Sequence, residues 1–511
     1  MTTVLRRVVI TLRRLAGSQS QLSFAATVAC GLCLFTAASA PLAGQELTAL
    51  QAAITMEKVI VDTIADAEKS VVAIARVRNR DRVGGPAIDP LSNDFVPNEY
   101  GTGVIVSPNG HIVTMAHVLG NIKENTYYVW HNRKPYKVEA KHVRGMDPWT
   151  DLAVIKIEAE GLQPIKYGDA SKLKKGMIAI ALGNPYAIAR DGEVSASWGI
   201  IANLRRKAPA NETTDDPAKQ SETLHHFGTL IQTDARLNLG TSGGALLNLK
   251  GEMIGLTTSL AARAGYEKSA GYAVPVDDTF RRVVNDLKEK RTPQFGFLGV
   301  APDDLTAYER TRLGRHGVVL DRVVRGTPAH NAGLQDLDII THVDDMPIYQ
   351  KSDLLRELSK QDVSTRIQLT VLRRGLGNNQ QRPISLEVKL LKKYIAQSGK
   401  QPGESLWRGM RVDYATALPA RILNDQAGSV DFSHSVGVVY VKHGSPAWRA
   451  GLRRGEFISQ VNGQSVETPQ AFDQLLRDQA GTVEITMAGF KRMRRQVEPP
   501  VVEVTTGGES D

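Results

Sequence analysis

Cysteine is almost absent from this chain of 511 residues. The only two cysteines, Cys30 and Cys33, both lie within the first 45 residues. If that segment is removed, the mature protein has no thiol, which excludes disulfide bonds and a cysteine nucleophile. The sequence also contains no Cys and His cluster with metal-ligand spacing. We therefore predict that the protein uses neither a metal nor any other cofactor.

Signals for nucleic-acid binding are absent as well. Aromatic residues make up 6% of the chain, and no basic stripe is interleaved with them. Much of the net charge of +9 comes from four arginines near the amino terminus, Arg6, Arg7, Arg13 and Arg14. An uncharged stretch follows at residues 22–44 and ends in small residues. We predict a targeting segment at residues 1–45 and a location in the periplasm or cell envelope. A retained membrane anchor and an organellar transit peptide are the alternatives.

The stretch NLGTSGGALLNLKGEMIGL at residues 238–256 contains a serine between glycines, Ser242. Gly240, Gly243 and Gly244 allow backbone conformations and close approaches that other residues resist. A Walker phosphate-binding loop is excluded because no lysine precedes the hydroxyl residue. Taken alone, Ser242 is therefore either a nucleophile or a small residue in a tight turn.

A serine nucleophile needs a general base and an acid that orients this base. His117, in TMAHV, follows a β-hairpin predicted by the Pro-Asn-Gly turn of GTGVIVSPNGHIVT. Asp151, in DPWTDLAVIKI, precedes an alternating strand at residues 152–157. Taken alone, each has a structural alternative, a buried histidine with satisfied nitrogens or an aspartate at the end of a strand. The order His, Asp, Ser is nevertheless that of chymotrypsin-type proteases.

The blocks TMAHV, DPWTDLAVIKI, ALGNPYAI and NLGTSGGALLNLKGEMIGL resemble those of the HtrA (Deg) family of serine proteases, and the resemblance runs from about residue 64 to residue 500. It implies that His117 is the general base, that Asp151 orients it and that Ser242 attacks the scissile carbonyl. It also implies an oxyanion hole formed by the backbone N–H groups of Gly240, Thr241 and Ser242. Thr241 stands where most relatives carry Asn.

Substrate preference is predicted from QTDARLNLGTS, which precedes the serine. The resemblance places Leu237 on the wall of the pocket for the P1 residue, the residue before the cleaved bond. An apolar pocket favours aliphatic P1 residues. The preference among them should be soft, because substrates that differ by one methylene group are distinguished only weakly. The nearby Asp234 is interpreted as structural.

An internal repeat occupies the second half of the chain. GTPAHNAGLQDLDIITHVDD, which begins at Gly326, aligns without gaps with GSPAWRAGLRRGEFISQVNG, which begins at Gly444. The period is that of a whole domain, and both copies resemble PDZ domains. In the first copy, FGFLGV supplies a loop that the resemblance assigns to binding a peptide's C-terminal carboxylate through Gly296, Phe297, Leu298 and Gly299. The corresponding WRGMRV matches poorly, so peptide binding by the second copy is left open.

We therefore predict a mainly β fold, with a chymotrypsin-like double β-barrel protease domain and two small α+β PDZ domains. The predicted ranges are a targeting segment at 1–45, the protease at 46–290, the PDZ domains at 291–393 and 407–500, a linker at 394–406 and a tail at 501–511. A helix should close the protease domain, because Phe280, Val283, Val284 and Leu287 have helical spacing.

The predicted function is ATP-independent endoproteolysis of unfolded or damaged proteins in the cell envelope. Expected partners are unfolded polypeptides, peptides with apolar C-termini and further copies of the chain, in trimers or multiples of trimers. The alternative is a chaperone or binding protein that keeps the protease fold and the PDZ domains but has little or no activity.

Overall fold

The computed structural model describes residues 48–79, 89–92, 95–184, 194–208, 223–238, 240–258, 271–314, 316–374, 381–396, 406–489 and 493–499. The predicted targeting segment, most of the predicted linker and the predicted tail lie outside these ranges. The chain divides into two units between Val59 and Ile60, and the first contains, among the described residues, only the beginning of helix α1 (Ala49–Ala67). No helix in the described ranges has the length and apolar character needed to cross a membrane.

The first sheet is antiparallel and has seven strands in the order β5-β4-β1-β2-β3-β7-β6. Its strands are β1 (Val71–Arg78), β2 (Glu99–Ile105), β3 (His111–Met115), β4 (Asn125–His131), β5 (Lys134–Val138), β6 (Val143–Asp147) and β7 (Leu152–Lys156). The predicted hairpin is confirmed, because Val104 pairs with Val113 and Ile105 with Ile112.

Strand β1 illustrates how this sheet is packed. Val72 and Ile74 point into the main core, whereas Ala73 and Ala75 belong to a second cluster with Trp130. Successive side chains of a strand point to opposite faces. Since both faces are covered, β1 is apolar along nearly its whole length.

The second sheet also has seven strands, in the order β12-β9-β10-β11-β14-β13-β8. Its strands are β8 (Lys166–Tyr167), β9 (Ile178–Gly183), β10 (Ser195–Arg206), β11 (Leu230–Thr233), β12 (Ala245–Leu247), β13 (Glu252–Thr258) and β14 (Gly271–Pro275). Strand β12 pairs with both β9 and β13, so the sheet closes into a barrel, with β8 attached to β13. The two sheets confirm the predicted mainly β architecture of the first domain.

After α1, the helices that the structure describes in this domain are short. They are α2 (Ala116–Leu119), α3 (Asp278–Lys288) and the 3₁₀ helices Glu68–Ser70, Ala140–His142, Ala170–Lys172 and Leu224–Phe227. Helix α3 begins after Asp277, whose carboxylate accepts a hydrogen bond from the Phe280 N–H at 3.0 Å. Its buried residues include Phe280, Val283, Val284 and Leu287, which confirms the predicted helix.

The repeated half contains two sheets of the same topology. The first follows the path β16-β17-β18-β20-β21 with β19 beside β18, and the second follows β23-β24-β25-β27-β28 with β26 beside β25. A separate pair joins β15 to β22. The strands are β15 (Gly296–Phe297), β16 (Val300–Asp304), β17 (Val318–Val323), β18 (Ile339–Val343), β19 (Met346–Pro347), β20 (Arg366–Arg374), β21 (Gln381–Lys389), β22 (Leu391–Lys392), β23 (Met410–Tyr414), β24 (Val436–Val441), β25 (Phe457–Val461), β26 (Gln464–Ser465), β27 (Val483–Met487) and β28 (Arg494–Val497).

The helices of the two copies correspond as well. They are α4 (Ala307–Leu313), α5 (Pro328–Asn331) and α6 (Lys351–Lys360) in the first copy, and α7 (Ala420–Gln426), the 3₁₀ helix Phe432–His434, α8 (Pro446–Arg449) and α9 (Pro469–Leu476) in the second. In both copies the repeated sequence forms a short helix followed by a strand, which are α5 and β18 or α8 and β25. The repeat is therefore two copies of one domain, as predicted.

Candidate active site

His117 and Asp151 lie side by side because their strands pair. His117 is in α2, directly after β3, and Asp151 directly precedes β7, while Met115 at the end of β3 pairs with Leu152 at the start of β7. The Asp151 carboxylate accepts two hydrogen bonds from His117, one from the backbone N–H at 2.9 Å and one from the ring Nδ1 at 2.6 Å. Both side chains of the predicted base and acid are thus held in one orientation.

The electrostatics of this pair favour an ionised Asp151. Burial alone would raise the pKa of the Asp151 carboxyl, but the charge of a protonated His117 and its hydrogen bonds hold this pKa below the usual value. The other ring nitrogen of His117, Nε2, is buried and has no hydrogen-bond partner among the described residues. With Nδ1–H donating to Asp151, Nε2 carries the lone pair that a general base requires.

A buried histidine, His225, supports the residue before Asp151. It lies in the 3₁₀ helix Leu224–Phe227, and its Nε2 contacts the Thr150 carbonyl oxygen at 2.9 Å. A carbonyl only accepts, so Nε2 carries the proton, and Nδ1 faces the Thr229 hydroxyl at 2.9 Å. Burial lowers the pKa of His225, which favours this neutral form. His225 was not predicted from the sequence, where no local pattern distinguishes it.

Asp147 also holds Thr150, the residue before Asp151, through hydrogen bonds. Its carboxylate accepts hydrogen bonds from the backbone N–H and the hydroxyl of Thr150, at 3.0 and 2.5 Å. Burial raises the pKa of Asp147 to about 6, although the bonds from Thr150 oppose that rise. Thr150 is therefore held through its carbonyl, its N–H and its hydroxyl.

Ser242 lies in a tight turn that packs against strand β2. The Ser242 side chain is buried, and its carbonyl accepts the Thr102 N–H at 2.8 Å. Gly243 has φ +87°, and an added Cβ there would lie 2.1 Å from the Thr102 carbonyl oxygen. Helix α2 packs on the preceding residue of β2, since a Cβ on Gly101 would lie 2.4 Å from Val118. The structure thus brings the Ser242 turn and the helix that carries His117 to two neighbouring residues of β2, Thr102 and Gly101 respectively.

Of the three predicted oxyanion-hole residues, Thr241 has an N–H group that is bonded within the turn. The Thr241 N–H donates to the Asn238 carbonyl at 3.2 Å, and the Thr241 hydroxyl donates to the same oxygen at 2.6 Å. This N–H is engaged within the turn. Gly240 has φ +92°, a conformation that glycine adopts without strain.

Leu237, the predicted wall of the P1 pocket, lies against Gly271. An added Cβ on Gly271 would be 2.8 Å from both Cγ and Cδ1 of Leu237, so only glycine leaves room for this side chain. Asp234 accepts the Ile200 N–H at 2.6 Å, which gives it the structural contact expected of it. In the described ranges, no three His, Cys, Asp or Glu residues form a group that could hold a metal ion.

The predicted carboxylate-binding loop of the first PDZ domain is partly engaged. The Gly296 N–H donates to the Gln361 carbonyl at 2.9 Å, just beyond the end of α6. Phe297 pairs with Leu391 of β22. Gly299 has φ +93°, and its carbonyl accepts the Val324 N–H at 3.0 Å.

The side chain of Phe297 packs against an apolar cluster that includes Tyr414, Leu418 and Phe432 of the second copy. The loop of that copy, WRGMRV, is held by Arg408. Its guanidinium donates to the carbonyls of Gln479 and Gly481, among others.

Comparison with known protein families identifies the three domains. A model of the trypsin-like peptidase domain matches residues 101–256. PDZ domain models match residues 296–390 and 437–488. The predicted combination of a chymotrypsin-like protease domain with two PDZ domains is therefore confirmed.

Several solved structures are similar to this chain. The HtrA-type protease AlgW with a decapeptide is 24% identical and has a TM-score of 0.46, with 65% of this chain and 98% of that chain covered. The serine endoprotease from Yersinia pestis is 23% identical, with a TM-score of 0.42 and coverage of 65% and 97%.

Curated relatives are similar over most of the chain. A probable periplasmic serine endoprotease, DegP-like, from Pseudomonas putida is 28% identical over 397 residues, which are 77% of either chain. The protein of the same description from Chlamydia trachomatis is 31% identical over 388 residues, which are 75% of this chain and 70% of that protein. The chain belongs to the family of DegP-like serine endoproteases.

Proposed function

We propose that His117, Asp151 and Ser242 form the catalytic triad of this endoprotease. The contact between His117 Nδ1 and Asp151 Oδ2 at 2.6 Å carries the assignment, because it leaves the buried Nε2 to accept the proton of the Ser242 hydroxyl. Ser242 then attacks the scissile carbonyl, and the protonated His117 donates that proton to the leaving amine. The test is the release of peptides from unfolded casein without ATP, by the wild type and not by Ser242→Ala.

The negative charge that develops on the carbonyl oxygen needs donors that are already in place. We assign these donors to the N–H groups of Gly240 and Ser242. The Thr241 N–H is left out because it donates to Asn238 inside the turn.

The substrates are unfolded or damaged proteins of the cell envelope, and the periplasm is the proposed location. Support comes from the names of the relatives, which are described as periplasmic endoproteases, and from the basic, then apolar, amino-terminal segment.

We propose that this amino-terminal segment is residues 1–45. The protease domain then spans 46–290, the PDZ domains span 291–393 and 407–500, the linker is 394–406 and the tail is 501–511. Assembly into trimers or multiples of trimers is proposed from the family resemblance, and analytical ultracentrifugation measures it.

Cleavage is expected mainly after Val, Ile, Leu and Ala, and rarely after Lys or Arg. The apolar side chain of Leu237 lies against Gly271 and forms the proposed wall of the P1 pocket. We propose no carboxylate at this wall that could pair with a Lys or Arg side chain. Mass spectrometry of the peptides from a denatured protein measures the P1 distribution.

Leu237→Ala should change the ratio of large to small aliphatic P1 residues by about tenfold. Leu249→Ala, the same change at a more exposed leucine, should leave that ratio unchanged. Frequent cleavage after Lys or Arg would contradict the assignment of Leu237.

The first PDZ domain is expected to bind peptides with a free, apolar C-terminus. The N–H groups of Leu298 and Gly299 are the proposed donors to the carboxylate, because the Phe297 N–H faces Leu391 in the β15–β22 pair. The Gly296 N–H takes no part, because it donates to Gln361. Hydrogen bonds to a charged group are worth about 1.5 to 3 kcal/mol, so a peptide acid should bind at least about tenfold more tightly than its amide.

Titration calorimetry with matched acid and amide peptides measures this difference in affinity. The rate of casein hydrolysis in the same samples measures whether the bound peptide stimulates the protease. We expect the acid to raise the rate as well, which requires that it bind the active arrangement of the Ser242 turn more tightly. Equal affinity of acid and amide would show that the loop does not bind the carboxylate. Selective binding without a change in rate would leave capture and remove activation.

A further inference from the structure

Two buried threonine hydroxyls, one from each sheet of the protease domain, donate hydrogen bonds to the turn that carries Ser242. Thr102 of β2 donates to the Gly240 carbonyl at 2.8 Å. Thr257 of β13 donates to the Thr241 carbonyl at 2.6 Å. Both side chains are 0% exposed, so water does not compete for these bonds. Two consecutive carbonyls of the turn are thus fixed from two different sheets.

A fixed carbonyl also fixes the N–H group that follows it. The peptide unit is planar and trans, so the C=O of one residue and the N–H of the next point in opposite directions. By holding the Thr241 carbonyl, Thr257 sets the direction of the Ser242 N–H. By holding the Gly240 carbonyl, Thr102 sets the direction of the Thr241 N–H, which donates to Asn238.

The backbone of Thr102 fixes the next carbonyl of the turn as well. Its N–H donates to the Ser242 carbonyl at 2.8 Å, and its own carbonyl accepts the Thr114 hydroxyl at 2.7 Å. Thr114 is three residues before His117. A rotation of the peptide units at residues 240–242 would therefore break several buried hydrogen bonds at once.

Each of the two hydroxyls also accepts a hydrogen bond. The Asn184 N–H donates to the Thr102 hydroxyl at 2.9 Å, and the Gly244 N–H donates to the Thr257 hydroxyl at 3.0 Å. A hydroxyl has one proton to donate and lone pairs to accept with. Serine can reproduce both bonds, whereas valine has the shape of threonine and can form neither.

We propose that Thr102 and Thr257 are positioning residues of the oxyanion hole, which hold the turn at residues 240–242 so that the Ser242 N–H faces the substrate oxygen. This role rests on the proposed function of Ser242 as the nucleophile. Neither hydroxyl is assigned a contact with the substrate, so both act through the backbone of the turn. The predicted loss is therefore one of rate and not of substrate affinity.

The test compares Thr102→Val and Thr257→Val with Thr102→Ser and Thr257→Ser in the full chain. Loss of a whole oxyanion donor lowers kcat by about 100- to 1,000-fold, and a misdirected donor should cost less. We expect each valine variant to lower kcat by about 10- to 100-fold with KM within about threefold of the wild type. Each serine variant should recover kcat to within about threefold. Thr126→Val is the matched control, because Thr126 is buried in β4 of the same domain and its hydroxyl donates to the Asn79 side chain at 2.8 Å and not to the turn.

Several outcomes would overturn the positioning role. One is a valine variant that keeps kcat within about threefold of the wild type. Another is a serine variant as slow as its valine counterpart, which would show that the methyl group matters and not the hydroxyl. If circular dichroism shows that Thr102→Val is unfolded, the test is decided by Thr257→Val. In that variant the Thr241 carbonyl still accepts the Gly244 N–H at 3.0 Å, so the turn keeps one of its hydrogen bonds. A wild type without activity would instead refute the proposed function, and the positioning role with it.

Discussion

Ser242→Ala is expected to lower the hydrolysis of unfolded casein by about a million-fold, to the limit of detection. The change removes only the Oγ atom, while the turn keeps its backbone hydrogen bonds to Thr102 and Thr257. Triad members act as a unit, so loss of the nucleophile alone removes nearly the whole contribution of the triad. His117→Ala should have an effect of similar size, since Ser242 would then have no base.

Peptide release is measured by reversed-phase chromatography, and circular dichroism checks that the variant is folded. Ser107→Ala is the matched control, because Ser107 is also buried in the protease domain but bonds to Asn109 in the β2–β3 turn. It should retain the activity of the wild type. Casein hydrolysis by a folded Ser242→Ala variant at a rate near that of the wild type would refute the assignment.

Asp151→Asn is expected to lower kcat by about 10,000-fold without disrupting the fold. The carboxylate accepts from two donors of His117, the backbone N–H and ring Nδ1. These two donors face different carboxylate oxygens, and the amide replaces one of the oxygens with an NH2 group, so in this geometry it can accept from only one donor. If the oxygen faces the backbone N–H, the NH2 group faces Nδ1 and favours the tautomer with the proton on Nε2. That tautomer cannot accept the proton of Ser242.

Steady-state kinetics on a fluorogenic peptide measures this loss. Asp277→Asn is the matched control, because Asp277 caps helix α3 through a carboxylate oxygen, and an asparagine oxygen caps equally well. It should change kcat by less than about twofold. A kcat for Asp151→Asn within about tenfold of the wild type would show that His117 does not depend on this carboxylate.

Local patterns were enough to predict several of the elements around the site. Alternating apolar residues around a Pro-Asn-Gly turn predicted the hairpin that leads to His117, and helical spacing predicted α3. The gapless repeat predicted two copies of one domain. The signals for the hairpin and for the helix each lie within about 20 neighbouring residues, which is the range over which periodicity can be read.

The supporting contacts could not be predicted in the same way, because they join distant parts of the chain. His225 bonds to a carbonyl 75 residues away, and Thr102 bonds to one 138 residues away. A threonine in a strand is ordinary, and only the register and closure of the sheets decide which acceptor it meets. The direction of the Thr241 N–H depends on the same contacts, so the sequence does not predict that this N–H is engaged within the turn.

Reaction with a fluorophosphonate probe, followed by mass spectrometry of the modified peptide, tests the central claim most directly. The probe reports an activated serine without assuming any substrate, PDZ ligand or oligomeric state. We predict a single adduct on Ser242 in the wild type, none in Ser242→Ala, and a rate of labelling in His117→Ala reduced by at least about 1,000-fold. A folded wild-type protein that is not labelled, or that is labelled on another serine, would contradict the proposed triad.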